Sequence, residues 1–282
     1  MSRARTLDIL FISLCILCAL TAVAILFIFL ALIISRGLGV INISFLTKPS
    51  RDFGAGGGII YQILGTILLM ITAGIISLPI ALGAALYRHE YLRPSYRKKA
   101  DLFIYALNGV PTIIFGLFGY IFIGGALGLG VSWVTGSFIL AVMILPTLTV
   151  SIQEALSAIP HKYRDTGLAL GLGRWSLIRR VLLPRTLPGI FTGLFLGLAR
   201  AAGETAAIMF TATAFSGAGL PHGLREPVAT LQTHILVLAG EATNPVARAT
   251  AWGSALVLVA IVMALSLMAM FVRSRVRSEA EI

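Results

Sequence analysis

Six stretches of this chain are each apolar for about the length a helix needs to cross a bilayer, and this constrains its fold more than any other feature. A helix rises 1.5 Å per residue, so a hydrocarbon core of ~30 Å takes about 20 apolar residues. The blocks run 7–34, 59–87, 102–126, 133–150, 188–214 and 251–272. Of 282 residues, 58% are hydrophobic and only 12% charged, about half the roughly 25% usual for a soluble domain. A soluble globule of this size has too little interior for so much apolar side chain. The chain is therefore expected to be all-α, a polytopic membrane protein with six transmembrane helices. Its first block follows Arg3 and Arg5 as a signal peptide would, but the apolar run is much longer than the 7–15 residues of a signal core. It is read as a span.

The net charge of +11 would suggest nucleic acid in a soluble protein. Here the basic residues sit in short segments between apolar blocks, which is a topology signal. Sixteen of the 22 Lys and Arg fall on one alternating set of segments: the N-terminus, 88–101, 151–187 and the C-terminus. Five fall on the other set, and Arg200 lies inside a span. The positive-inside rule then predicts that both termini and both basic loops are cytoplasmic. Three units follow: 1–58, with the first span and an extracytoplasmic loop; a five-span core over 59–272; and a short tail, 273–282. No loop is long enough for a soluble catalytic domain, so any enzymatic activity is expected in a partner.

Other motifs read as structure. Cys15 and Cys18 lie inside the first apolar block and read as buried small hydrophobes. The glycine-rich run 124–130 lacks the Gly-Lys-Ser/Thr ending of a phosphate-cradling loop and reads as a hairpin outside the membrane. Glycines and prolines in the second and third blocks predict closely packed helices. His89, His161, His222 and His234 have no metal-ligand spacing and read as solvated. No metal is expected.

The segment 151–187 is long for a connection inside a compact bundle. Its pattern predicts a short helix, a turn at 171–173, and a second amphipathic helix carrying Trp175 and stopped by proline. The bland reading is a helix lying on anionic lipid, favoured by Arg174, Arg179 and Arg180. Asp165-Thr166-Gly167-Leu168-Ala169-Leu170-Gly171, nine residues, then Val181-Leu182-Leu183-Pro184 resembles the E-A-A-x3-G-x9-I-x-L-P loop of the membrane subunits of ATP-binding-cassette importers. Asp165 stands where that family has Glu, Thr166 and Gly167 where it has Ala, and Val181 where it has Ile. The resemblance implies the type I ABC importer permease fold and a coupling helix that docks on an ATPase subunit. Asp165, Thr166, Gly167, Leu170, Gly171, Trp175, Val181, Leu183 and Pro184 would form that element.

The fifth block contains Arg200 and Glu204. A charge facing lipid near mid-bilayer costs a few kcal/mol, so both are expected to face protein or water. An i,i+4 spacing places them on one helix face, where they could neutralise each other as a structural pair. Alternatively the pair is a substrate site: a guanidinium with five N–H donors suits a tetrahedral oxyanion, with Glu204 holding the Arg or accepting from a protonated oxyanion. The run 198–206, Leu-Ala-Arg-Ala-Ala-Gly-Glu-Thr-Ala, together with 109–119, Gly-Val-Pro-Thr-Ile-Ile-Phe-Gly-Leu-Phe-Gly, and the Gly57-Gly58-Ile59 entry to the second block, resembles phosphate-importer permease subunits, most closely the second of the two such permeases. The resemblance implies phosphate translocation into a bacterial or archaeal cell across its inner membrane. It also implies the partners: a homologous permease, a dimer of cytoplasmic ATP-binding subunits carrying ATP and Mg, and an extracytoplasmic phosphate-binding protein. No cofactor is expected in this chain. Competing readings are an importer of another oxyanion, an ATP-independent secondary transporter or channel, and a non-transporting scaffold.

Overall fold

The computed structural model describes residues 2–51, 54–214, 219–240 and 244–280, with side chains from 7 to 274 within those stretches. The N-terminal helix α1, Ser2–Gly37, carries the first span over Leu7–Gly37. After a short helix α2, Ile43–Thr47, the strands β1, Ser50–Arg51, and β2, Gly56–Gly57, pair antiparallel. Helix α3, Ile60–Leu86, continues as a π turn over Tyr87–Tyr91, so one apolar rod covers Ile60–Tyr91. Then come α4, Pro94–Asn108, and α5, Thr112–Phe118, which widens into a π segment, Gly119–Ala126. Helix α6 runs Trp133–Ser157 and α7 His161–Ala169. Helix α8, Arg174–Leu177, passes through a π turn, Ile178–Leu182, into α9, Leu183–Ala202. Helices α10, Ala206–Thr211, α11, Leu231–Gly240, and α12, Pro245–Ala280, complete the chain.

Among the described residues five of these rods are long and apolar enough to span a membrane, and α4 with α5 is a bent pair that makes a sixth if it crosses as one span. The third apolar block thus departs from a straight helix: its two halves meet at 89° across Gly109-Val110-Pro111. Pro111 has no N–H to continue a helix and disfavours helical backbone at Val110. Hydropathy, which averages along the chain, does not register the turn. The fifth span also sits elsewhere than expected, starting at Arg174 and ending at Ala202. Pro184 does not stop it. The proline follows the π turn at the first positions of α9, where a missing N–H is tolerated.

The core is built by α3, α6, α9 and α12. Leu69, Ala73, Ile139, Ile144, Ala201 and Ile208 meet at its centre. A second cluster, with Ala85, Leu148, Ile152, Leu177, Ile178 and Leu182, packs where α3, α6 and the α8–α9 rod meet at the basic end of the bundle. Small residues allow the close approaches. A side chain at Gly119 would overlap Ile139, so only glycine brings the π segment against α6. By contrast, α1 leans mainly on α12, closely at Gly37, and leaves most of its described apolar length exposed. Cys15 and Cys18 lie on that exposed rod rather than in the core. A span that faces lipid or a partner is as apolar as a buried one, which is why the sequence could not distinguish them.

The segment 215–250 is not an open loop either, although 215–218 and 241–243 lie outside the described residues. Helix α11 dives back against α3, where Leu231 N–H donates to the Thr66 hydroxyl at 2.9 Å and the Thr66 hydroxyl lies 3.3 Å from Gln232 Oε1. His234, expected on the surface, is buried on this helix.

Candidate anion site and coupling surface

Arg200 lies in the last turn of α9, three residues before the helix gives out. At Gly203 the backbone tightens: Gly203 N–H reaches the Arg200 carbonyl at 3.1 Å and Glu204 N–H the Ala201 carbonyl at 3.2 Å. The carbonyl of Ala202 is then taken by the buried Gln232 amide of α11. With that carbonyl occupied from the side, the chain restarts as α10. Arg200 and Glu204 therefore do not share one helix face as the i,i+4 spacing implied, and they form no ion pair among the described residues. Glu204 turns to the start of α10, its Oε1 accepting from Ala207 N–H at 3.4 Å.

Arg200 is held by neutral oxygens instead. Its Nη1 donates to Asn108 Oδ1 at 3.0 Å and to Thr147 Oγ1 at 3.2 Å. Asn108 is the last residue of α4, at the 89° bend, and Thr147 follows Pro146 in α6. Three elements thus converge on one guanidinium. Neither partner carries charge, so the cation is oriented without being neutralised, and it is only half buried. Hydrogen bonds to a charged group are among the strong ones, about 1.5–3 kcal/mol each. Two of them on one nitrogen fix the plane of the fork and leave Nε and Nη2 for a further acceptor. Sequence reasoning missed Asn108 and Thr147. Asn108 was in principle visible as the Asn-Gly turn signal before Pro111, whereas Thr147 is an ordinary helix-interior threonine by sequence.

At the other end of the bundle, the residues expected to couple stand together. Asp165 and Thr166 lie exposed on α7, and Gly167 is buried with its Cα facing Leu177, where a Cβ would come within 2.7 Å of Leu177 Cδ1. Leu170 is 76% exposed and Trp175 68% exposed, on either side of the turn at Gly171. Gly171 has φ +77°, a conformation that costs other residues roughly 1–2 kcal/mol. Val181, Leu183 and Pro184 belong to the base of the following rod, not to the turn, with Val181 and Leu183 against the second core cluster. The first helix, the glycine turn and the apolar face are as expected; the proline stop is not. The loop is braced from both sides. Arg185 stacks over Tyr163, 3.7 Å from the ring centre, and Arg174 lies over Tyr91 at 5.9 Å.

Sequence reasoning also missed Glu90. Its side chain is wholly buried, with Oε2 3.2 Å from Arg164 Nη2 of α7 and Oε1 2.9 Å from His89 Nδ1. The Arg164 contact is electrostatic, since Oε2 forms no aligned hydrogen bond. His89, read from sequence as solvated, is part of this cluster. Among the described residues, no group of His, Cys, Asp and Glu could hold a metal ion.

A bundle of candidate spans with an exposed apolar turn at its basic end, and a cation near the end of the fifth span that is in no ion pair among the described residues, fits a membrane transport subunit. Residues 77–278 match the family of binding-protein-dependent transport system inner membrane components, and the chain belongs to that family, the permease subunits of ABC importers. It is 31% identical over 268 residues to the probable ABC transporter permease protein YqgI of Bacillus subtilis, covering 90% of each chain. It is 32% identical over 238 residues to the phosphate transport system permease protein PstA of Xylella fastidiosa, covering 83% of this chain and 81% of that one. The probable phosphate transport system permease protein PstA of Methanocaldococcus jannaschii is 31% identical over 252 residues, with 88% of this chain and 87% of that one covered. Among solved structures, the membrane fold resembles a chain of a bacterial alginate ABC transporter, with TM-score 0.65 and 14% identity, covering 94% of this chain and 93% of that one. A chain of the MetNI methionine ABC transporter gives TM-score 0.57 and 19% identity, covering 78% and 95%. These structural likenesses concern the fold alone.

Proposed function

We propose that this permease subunit carries inorganic phosphate into the cell, as one half of a pore formed with a homologous permease. The observation that supports the substrate is Arg200: a half-buried guanidinium near the end of the fifth span, held by Asn108 and Thr147 and in no ion pair among the described residues. A cation retained at that cost needs an anion, and a planar fork of N–H donors fits the oxygens of a tetrahedral oxyanion. The relatives named for phosphate transport support the same choice. The basic end faces the cytoplasm of a bacterial or archaeal cell, and its exposed Leu170 and Trp175 dock on an ATPase dimer, which holds the ATP and Mg. An extracytoplasmic phosphate-binding protein delivers substrate at the other end. This chain binds no cofactor of its own, and no step of its function needs one.

In this reading ATP-driven closure of the ATPase dimer pushes on α7 and the turn at Gly171. The bundle then alternates between exposing Arg200 to one side and to the other. Glu204, at the break beside Arg200, accepts a hydrogen bond from a protonated oxygen of the bound anion.

The test is uptake of radiolabelled phosphate by proteoliposomes holding the complete complex. Arg200→Gln removes the charge and the fork and is expected to abolish uptake while complex yield stays at the wild-type level. Lysine at 200 restores only part, because a point charge lacks the fork. Since Glu204 is not the partner of Arg200, adding Glu204→Gln to Arg200→Gln is not expected to restore uptake; restoration would identify the two as a structural pair and overturn the binding role. Competition by sulfate or molybdate stronger than by unlabelled phosphate would reassign the substrate. For orientation, a cysteine at Gly223 should react with an impermeant thiol reagent in spheroplasts and one at Lys98 should not; the reverse would overturn the topology.

A further inference from the structure

Helix α4 has no buried residue, yet it runs from the coupling loop to the anion site. Fifteen residues at 1.5 Å each make it about 22 Å long. Ala100, Ile104 and Leu107 form a half-buried stripe and α4 packs along α6, but the ties to the coupling loop and to Arg200 are polar. Midway along it, Arg88 grips both oxygens of Asp101 at 2.7 and 2.6 Å, and in its first turn Arg97 donates to the Leu92 and His89 carbonyls at 3.2 and 3.1 Å. These contacts bolt α4 to the end of α3. That end is in turn bolted to the coupling loop by Glu90, whose buried carboxylate faces Arg164 of α7. A cavity of about 180 Å³ marks the place where the three elements meet, lined by Arg88, His89, Arg97 and Arg164 among others. At its far end α4 stops on Asn108, which holds Arg200.

We propose that α4 is the strut that carries movement of the coupling loop to Arg200, with Glu90 as the positioning residue at one end and Asn108 at the other. The inference rests on the coupling and anion-site roles given above and adds the path between them. A fully buried carboxylate under one guanidinium is a costly way to hold a helix end in place if packing alone would serve. It is economical if the loop and the helix must move as one body. Asn108 then completes the path, because any shift of α4 along its axis moves the oxygen that orients the Arg200 fork.

Coupling through a chain of contacts is established only by showing that its members act together. In the complete complex, Glu90→Gln should preserve assembly and basal ATP hydrolysis while lowering phosphate imported per ATP by roughly 5- to 150-fold, the range typical of coupled sites, and Asn108→Ala, which also frees the Arg200 fork, should lower the same ratio. Glu90→Asp should recover part of the loss. The double variant should be no worse than the poorer single one, since both interrupt one path. Multiplicative losses, or single variants with an unchanged ratio, overturn the strut.

A second measurement keeps the inference separable from the substrate assignment. With Cys15 and Cys18 replaced by serine, spin labels at Lys98 of α4 and Lys162 of α7, both exposed, report the distance between strut and loop in the nucleotide-free and ATP-bound complex. One rigid body predicts the same narrow distance in both states, broadened by Glu90→Gln. A distance that changes with nucleotide in the unmutated background refutes the strut even if phosphate uptake is normal. If phosphate uptake is absent from the wild-type complex, the substrate reading fails while an unchanged narrow distance still supports the strut.

Discussion

Glu90 and Arg200 are charges in the same bundle treated in opposite ways. Glu90 is wholly buried and compensated, with Arg164 and His89 against its two oxygens. Arg200 is half exposed and uncompensated, oriented by an amide oxygen and a hydroxyl. Compensation makes a charge structural, because its field is spent on a fixed partner. Orientation without compensation leaves the field for something that comes and goes. The two regions thus differ in kind: one uses ionic contacts to fix the shape, and the other withholds them, as the proposed anion site requires.

The contrast can be broken by exchanging the two treatments. Asn108→Asp gives Arg200 a carboxylate in place of a neutral oxygen and should convert the anion site into a structural pair. Phosphate uptake should fall by roughly 30- to 150-fold, the loss of about 2–3 kcal/mol in a charge-assisted contact, with complex yield unchanged or higher. Unimpaired uptake would mean that the bare charge is not what the substrate meets. The opposite change, Arg164→Gln, strips compensation from Glu90. Loss of a partner from a buried pair costs about 3–5 kcal/mol; because the Arg164 side chain is 34% exposed, about 2–3 kcal/mol is expected after screening. The measurement is the thermal midpoint of the purified complex in detergent, and Arg200→Gln should leave it within a degree or two. Equal destabilisation by both variants would erase the distinction between the sites.

A smaller effect sharpens the comparison at the coupling surface. Gly171→Val forces a β-branched residue to φ +77°, at a cost of about 1–2 kcal/mol confined to the turn. Membrane insertion should be intact, while ATPase recruitment, followed by co-purification, should drop several-fold. Smallest of all should be the effect of Glu204→Gln on assembly. The carboxylate makes one long contact to Ala207 N–H, which a glutamine carbonyl can also make, so complex yield should stay within about twofold of wild type. A collapse in yield would show that Glu204 carries structural charge after all.

Hydropathy placed the first, second, fourth and sixth blocks on rods long enough to span, because lipid and protein interior demand the same apolar composition; the third block fell on a bent pair and the fifth rod starts and ends earlier than expected. The glycine turn was equally legible, since Gly171 is a local requirement of backbone conformation. Two breaks escaped notice. The bend at 109–111 sits inside a block whose average hydropathy stays high, although Asn108-Gly109 and Pro111 announced it. The end of α9 at Gly203 left even less trace. It lies between alanines, and what holds it there is Gln232, some thirty residues away, on a helix that the loop composition concealed.

The amino-acid sequence by itself determined how many times the chain meets the membrane, which segments are basic, and which residue types carry charge among apolar neighbours. Each of these follows from transfer free energies and short-range backbone preferences that a residue brings with it. Only the tertiary structure decided which charge has a partner. Arg200 and Glu204 are four residues apart and part company at a helix break, whereas Arg200 and Asn108 are ninety-two apart and share a hydrogen bond. Electrostatic interactions act through space and fall off over a few ångströms in a protein, so the pairing of charges is settled by the packing of whole helices and not by spacing along one.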